Sequence, residues 1–474
     1  MEADDRLHSI RTNFFCGLLD YTKSFPDFAI AQKFELARPS EGKALLEELD
    51  RSLTGEAKLL IYVHLPFCSS ECVFCNAFPL KTNADVQQKY LQALVQEIQI
   101  YQASNVFGDR TVECLYLGGG TPTSFATAEI RRIIEALKSA VDFSENCSIT
   151  CEAHVKDLLE EGRIEEIARS GIDRLSIGCQ TFDQQVLKSC RRFHRESKVK
   201  KVIRNAQGVG LRVNIDMMTG LPGQTLDGVR RDLDILDDIA PDSIEYMRHE
   251  IVNPLAISLY RHHPELLVGD DELFWMTYET QEWMAERGYE QNGSFTGEKY
   301  FPYRYHWLKE TPFVSFGSRS RSFTKRMCCD KHEDLSLYLR LVERGIPPIA
   351  RFMLLDERER MYRSLFLSIQ TRDGLDREAF ERRFGRDPAD AFPPLLDRLN
   401  ECGCIEVGDS SIRLSRYGRY FVEDVCCAII DQAVREGGYE TRRRRMPHSS
   451  GAFTERLSSR MKIQGDRRLG SETR

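Results

Sequence analysis

The chain has 474 residues, 41% hydrophobic and 29% charged, which excludes a disordered tail protein or a collagen-like fibre and allows two or more cores. Its 15 cysteines are an odd number, and no charged segment followed by an apolar stretch opens the chain; a secreted disulfide framework is not expected, and a cytoplasmic protein is. No apolar run approaches the ~20 residues of a membrane span, and the charge divides unevenly: residues 438–474 carry ten Lys/Arg against four Asp/Glu, leaving 56 against 69 before them.

Residues 1–55 read as a helical lead-in with an aromatic stripe, Phe14, Phe15, Tyr21, Phe25 and Phe28, suited to packing or to covering a site mouth. From 56 to 350, strand-like runs at 59–65, 112–117, 148–152, 174–178, 212–217 and 243–248 are each bounded by Gly, Pro or Asp. Between and after them, residues 85–102, 127–140, 155–170, 184–209, 226–239 and 271–287 place apolar side chains three and four apart. Six such units predict an α/β fold, a partial (β/α)6 TIM-like barrel whose reactive groups sit at the carboxyl ends of the strands.

Residues 351–437 break the alternation. Short helices at 359–369, 376–384 and 394–401 precede two small strands near 405 and 412 and a helix over 418–434, a winged-helix-like α+β module. It lies in the acidic body, so packing or substrate covering is expected of it and nucleic-acid binding is not. The tail from 438, with its run Arg442 to Arg445, reads as a solvated arm.

The chemistry concentrates after the first strand, where Cys68, Cys72 and Cys75 stand four and three apart on one loop. Three thiolates so spaced can converge on one metal centre and leave a position open, whereas structural zinc wants four closed ligands and position 77 is Ala77. Gly118, Gly119 and Gly120 before Thr121 allow close approach of backbone to a bound group. Cys114, Cys147, Cys151, Cys179 and Cys190 read as small buried hydrophobes, and the pairs Cys328/Cys329, Cys402/Cys404 and Cys426/Cys427 are weaker candidates for a second cluster.

These motifs resemble, in order, the radical S-adenosylmethionine superfamily, and within it the oxygen-independent coproporphyrinogen III oxidase-like branch. The resemblance rests on Tyr62-Val-His-Leu-Pro-Phe with the cysteine triple, Tyr116-Leu-Gly-Gly-Gly-Thr-Pro122, Glu152, Gly171 to Phe182, and Asn214 to Thr225. It implies a [4Fe-4S] cluster on Cys68, Cys72 and Cys75, with S-adenosylmethionine, two molecules in this reading, held by Tyr62, Phe74, Gly119, Gly120, Thr121, Glu152, Gln180, Arg192 and Asp216. Within that set Phe74 would stack on adenine, Glu152 meet the amino group, Arg192 face the carboxylate, and Gln180 and Asp216 bind the ribose. An external one-electron donor such as flavodoxin or ferredoxin, and a small-molecule substrate, follow from the same resemblance.

The branch divides by reaction. Its coproporphyrinogen-oxidising members add a fourth cysteine two residues after the third, where this chain has Ala77, and relatives tend to have small residues where it has Ser318-Arg319-Ser320-Arg321. On these departures a class C-like methyl- or methylene-transferring enzyme (methyltransferase or cyclopropanase) acting on an sp2 carbon is expected first. Coproporphyrinogen dehydrogenase or haem-utilising chemistry comes second, and a non-catalytic haem chaperone third. His249 and Glu250 after the sixth strand, with Arg319 and Arg321, are the candidate substrate contacts.

Overall fold

A computed structural model of the chain describes residues 33–291, 296–298 and 302–438. The aromatic stripe before residue 30 and the basic tail lie outside these residues. Seven parallel strands form the centre of one sheet: β1 (Lys58–Leu65), β2 (Thr111–Gly119), β3 (Asp142–His154), β4 (Arg174–Gln180), β5 (Arg212–Thr219) and β6 (Ser243–Arg248) in sequence, with β7 (Phe313–Phe316) beside β1. On the β7 side the sheet continues antiparallel through β8 (Arg321–Phe323), β9 (Met327–Lys331) and β10 (Ile349–Leu354), and beyond β6 through Thr296–Glu298 and Glu290–Gln291. Glu35–Leu36 adds to β10 at the outer edge, and among the described residues the two ends of the sheet do not pair, so the barrel is open. The seventh parallel strand is an addition to the six that the sequence predicts, four residues long and followed by a glycine turn.

Side-chain alternation builds the barrel wall. Leu59, Ile61, Val63 and Leu65 of β1 join Leu175, Ile177, Val213, Ile215 and Ile244 in the core under the helices. The alternate residues face inward and are largely polar: Tyr62 and His64, then Glu152, Ser176, Asn214, Asp216, Ser243 and Glu245, with hydrogen bonds joining Tyr62 to His64 and Ser176, Asn214, Asp216 and Ser243 to one another. Helices α1 (Ala84–Ala103), α2 (Thr127–Ala140), α3 (Arg163–Arg169), α4 (Glu196–Gly208), α5 (Leu226–Ile239) and α6 (Asp270–Glu286) cover the outside. Asn83 and Thr225 cap α1 and α5 by accepting from Val86 and Gly228 N–H.

Two helices expected to be continuous are broken. The stretch 155–170 turns at Gly162, φ +77°, and the stretch 184–209 is divided into Gln184–Ser189 and α4 by Arg191, φ +56°. The second break matters for the site, because it turns the next residue, Arg192, inward.

The C-terminal module packs α7 (Glu357–Ser368) on α8 (Val422–Glu436) beside a three-stranded antiparallel sheet, Leu375–Asp376, Ile405–Val407 and Ser411–Leu414, with the last in the middle. Its core includes Leu60 of β1 and Cys114 of β2, so module and barrel share buried surface. Arg248 at the end of β6 pairs with Glu423 of α8, and Glu282 of α6 accepts from Tyr420, fixing the module against the barrel. No helix among the described residues is long and apolar enough to cross a membrane.

Candidate active site

The cysteine loop leaves β1 at Pro66 and is folded back on itself, Phe67–Cys68 pairing parallel with Leu80–Lys81. Val73 is buried with Ile251, Ala256 and Tyr260, while Phe74 packs on Val186, Cys190, Met218, Leu221 and Met247. Asn253, unremarked in the sequence reading, ties the loop down: its Nδ2 donates to the carbonyls of Cys75 at 2.7 Å and Cys72 at 3.3 Å. Its Oδ1 accepts from Leu255 N–H at 2.8 Å, capping the helix Pro254–His262.

Hydrogen-bond donors are aimed at the sulfurs. Thr121 Oγ1 donates to Cys68 Sγ at 3.1 Å, Ser70 N–H approaches it at 3.4 Å, and Arg192 Nη1 lies 3.8 Å from Cys72 Sγ. Burial pushes the Cys72 and Cys75 thiols up, with Arg192 opposing this at Cys72, and the Cys68 sulfur is close enough to both to raise them further. Three neighbouring thiols, Cys72 buried and Cys68 and Cys75 half-buried, with donors on the Cys68 and Cys72 sulfurs, fit ligands to a cationic centre, whose charge would hold them as thiolates. No three His, Cys, Asp or Glu side chains among the described residues are drawn onto a single-ion position.

Beside the loop lies a carboxylate-lined wall. Glu152 Oε1 accepts from Tyr116 OH and Oε2 from Gly119 N–H, both at 3.0 Å. Burial, then the charge of Asp216, pushes its carboxyl up to about 7. Asp216 is raised by burial and by Glu245, while Asn214 Nδ2 at 2.6 Å and Ser176 Oγ at 3.1 Å donate to its Oδ1. Both acids sit where a ligand cation would restore their charge. Tyr62 stacks on Tyr116, ring centroids 6.0 Å apart, and its hydroxyl is 3.1 Å from His64 Nδ1.

The three glycines have neighbours other than those expected. A Cβ on Gly120 would lie 2.4 Å from Phe67 O, and one on Gly119 (φ +112°) 2.6 Å from the His64 ring. A Cβ on Gly118 would stand 3.0 Å from the Glu152 carboxylate. Protein atoms, not only a ligand, therefore exclude a side chain at all three.

Gln180 ends β4 at φ +69° with a buried Oε1 that has no partner, and Arg192 Nη2 donates to Gly178 O at 2.5 Å. Cys68, Cys72, Cys75, Thr121, Glu152, Gln180, Arg192 and Asp216 thus gather at the carboxyl ends of β1 to β5. His249 follows β6 and is fully packed, 5% exposed, with neither ring nitrogen hydrogen-bonded. Burial lowers it to about 4, so the imidazole is neutral. Glu250, the next residue, is half-buried.

The two arginines of the Ser318–Arg321 turn separate. Arg319, φ +66°, donates from Nη1 to Phe78 O at 2.6 Å, reaching the exit of the cysteine loop. Arg321 is bidentate on Asp330 at 2.5 and 3.0 Å, and Asp330 also takes Arg351, so the expected substrate contact at Arg321 is instead a structural ion pair. Of the cysteine pairs, Cys328 faces the C-terminal core and Cys329 the barrel core, opposite sides of one strand, which removes them as joint ligands.

Comparison with known proteins accounts for this arrangement. A family model for the radical SAM superfamily matches residues 62–236, and one for the HemN C-terminal domain matches 355–421. The heme chaperone HemW of Haemophilus influenzae is 30% identical over 237 residues, a match spanning 49% of this chain and 61% of that relative. The oxygen-independent coproporphyrinogen III oxidase of Salmonella typhimurium is 24% identical over 438 residues, 84% of this chain and 94% of the relative. The solved structure of coproporphyrinogen III oxidase (HemN) from Escherichia coli, described as a radical SAM enzyme, superposes with a TM-score of 0.75 at 24% identity, covering 88% of this chain and 98% of that one. These relatives do not support the methyl- or methylene-transferring expectation drawn from Ala77 and the arginine turn; they favour the tetrapyrrole readings placed second and third. The chain thus combines a radical SAM domain with a HemN C-terminal domain, the combination expected of the coproporphyrinogen III oxidase-like branch.

Proposed function

We propose that the protein is a radical SAM enzyme that oxidises a tetrapyrrole by hydrogen-atom abstraction, holding one [4Fe-4S] cluster on Cys68, Cys72 and Cys75 and two molecules of S-adenosylmethionine. The observation that carries the reading is the pairing of the donor-lined cysteine loop with a HemN-type C-terminal module seated on the end of β6 through Arg248 and Glu423. When bound, the cluster supplies the electron that splits S-adenosylmethionine into methionine and a 5′-deoxyadenosyl radical. The chain's own part is to place and protect. Glu152 takes the ammonium group, Arg192 the carboxylate, Gln180 and Asp216 the ribose hydroxyls, and Phe74 the adenine face. Thr121 and Arg192 donate to cluster sulfur, and Asn253 fixes the loop that carries the ligands. His249, neutral and with both nitrogens unengaged, is placed to hydrogen-bond the substrate or to move a proton, and Arg319 presents charge to an acidic substituent.

The test is anaerobic reconstitution with S-adenosylmethionine and dithionite, first without and then with coproporphyrinogen III or haem. The expected result is 5′-deoxyadenosine formation that Cys68→Ala abolishes, together with conversion of one tetrapyrrole. Tight haem binding without 5′-deoxyadenosine would favour the chaperone reading, which the match to HemW supports. Label from methyl-deuterated S-adenosylmethionine appearing in a product would return the methyl-transfer reading.

A further inference from the structure

The cysteine loop also has an outer face. A cavity of about 580 Å³ opens there, and among its walls are the ligand Cys68 itself, Ser69, Lys81, Arg191 and Phe193. Phe193 is 75% exposed, and Phe78, just past the loop, 44%. A large aromatic side chain left in water on the cavity rim, as Phe193 is, marks a surface made for contact.

The charge around them is mostly basic, although the exposed Glu71 also lines the cavity and pairs with Lys81. Lys81 is exposed, Lys156 lies with its Nζ 2.6 Å from Ser69 Oγ, and Lys188, Arg191 and Arg195 are all exposed along the turn that bears Phe193. Of the nearby acids, Glu71 is engaged by Lys81 at 3.0 Å and Glu196 by Lys200 at 2.6 Å, while Asp157 accepts from Thr123 at 3.0 Å. The chain before residue 438 has 56 basic against 69 acidic residues, so this patch opposes the sign of the body around it.

Backbone conformation adds a third observation. Arg191 holds φ +56°, a region that costs a non-glycine residue about 1 kcal/mol or more and glycine almost nothing. An arginine occupies the tip, and the same turn sends Arg192 to Cys72 and Phe193 to solvent.

We propose that this face, centred on Arg191 and Phe193 with Lys81 and Lys156, is the docking site for an acidic one-electron carrier protein that reduces the cluster. The inference rests on the cluster assignment above. One electron leaves the reduced carrier, which is oxidised by one, and enters the cluster, which is reduced by one; no bond is made or broken at the surface. A small aromatic centre within a basic ring suits a transient complex, steered by charge and short-lived enough to turn over.

The test uses the full-length reconstituted protein with a flavodoxin and its NADPH-dependent reductase. Flavodoxin affinity is measured by calorimetry at low and high salt, and 5′-deoxyadenosine formation is followed with flavodoxin or with dithionite as reductant. Arg191→Glu and Phe193→Ser are expected to weaken flavodoxin binding about tenfold and to slow the flavodoxin-driven rate alike, leaving the dithionite-driven rate within about twofold of the parent. Arg191→Gly removes the charge while suiting the backbone, and should give a smaller, salt-sensitive loss in the flavodoxin arm alone. Unchanged binding in all three variants, or equal losses with both reductants, overturns the proposal. A parent protein that makes no 5′-deoxyadenosine with dithionite contradicts the catalytic reading instead, and the binding comparison then decides the docking site by itself.

Discussion

Asn253 offers a direct test of how the cysteine loop is held. Its side chain is 7% exposed and makes three hydrogen bonds, two to loop carbonyls and one that caps the following helix. Asn253→Ala removes all three. At about 1 kcal/mol for a lost cap and about 1 kcal/mol for each loop bond, the variant should lose roughly 3 kcal/mol. About 2 kcal/mol of that acts on the loop, equivalent to some 30-fold weaker retention of a group bound there. Asn253→Asp separates the two parts, because a carboxylate still accepts from Leu255 N–H but cannot donate to the carbonyls of Cys72 and Cys75. Iron and sulfide per chain after anaerobic reconstitution, and their loss rate to a chelator, read the loop; unfolding of the apo chain reads loop and cap together. Both variants should lose iron faster and both should lose apo stability, the alanine about 3 kcal/mol and the aspartate at least the ~2 kcal/mol of the two loop bonds. Equal iron retention in parent, alanine and aspartate proteins would refute the claim that this residue anchors the ligand loop.

Other perturbations bear on neighbouring elements. Gly120→Ala forces a methyl to 2.4 Å from Phe67 O, next to Cys68; a cost of about 3 kcal/mol or more in unfolding free energy, with loss of the cluster, is expected. Lys331→Met leaves Glu97 buried without its cation, 2.8 Å away in the parent, and should destabilise by about 3–5 kcal/mol in denaturant unfolding, with Glu97→Gln/Lys331→Met recovering part. The Glu152 carboxyl, raised from 4.5 to about 7, keeps its proton in the folded chain over a pH range where the unfolded chain has lost it. Its contribution to apo stability therefore falls as pH rises from 4.5 to about 7. S-Adenosylmethionine affinity should rise through the same range with proton release, seen as a buffer-dependent binding enthalpy, and Glu152→Gln should flatten it.

The six central strands were legible because aliphatic or β-branched residues recur in runs bounded by Gly, Pro or Asp, though Asp142–His154 is far longer than its expected core at 148–152, and the reactive face followed from the barrel geometry they imply. Strand β7 was not, since Phe313–Phe316 is four residues long and gains its identity by lying beside β1, more than 240 positions earlier. The breaks at Gly162 and Arg191 differ instructively: a glycine advertises a turn, whereas an arginine at φ +56° does not. Most of the candidate site was read from motif order, and the structure gathers those residues at adjacent strand ends. Asn253 escaped because Asn-Pro announces a helix cap but says nothing of a partner 178 residues away. The expected reaction is the one the relatives do not favour, for a related reason. Ala77 and Arg319 are single departures near the loop, while the likeness to the coproporphyrinogen III oxidases extends over 438 residues.

The position of β1 has a kinetic consequence. It is paired on both sides, to β2 from Lys58 to Leu65 and to β7 from Leu60 to Val63, with Leu59, Ile61, Val63 and Leu65 fully buried. A strand so enclosed exchanges its amide hydrogens only through large-scale opening of the domain. The thiol-bearing loop is thus tethered at its start to one of the slowest-opening parts of the chain, and its local fluctuations are confined to the stretch beyond Pro66. Amide exchange should be slow before Pro66 and faster within the loop, and the cavity beside Cys68 is the open path by which oxygen or a chelator would reach the cluster.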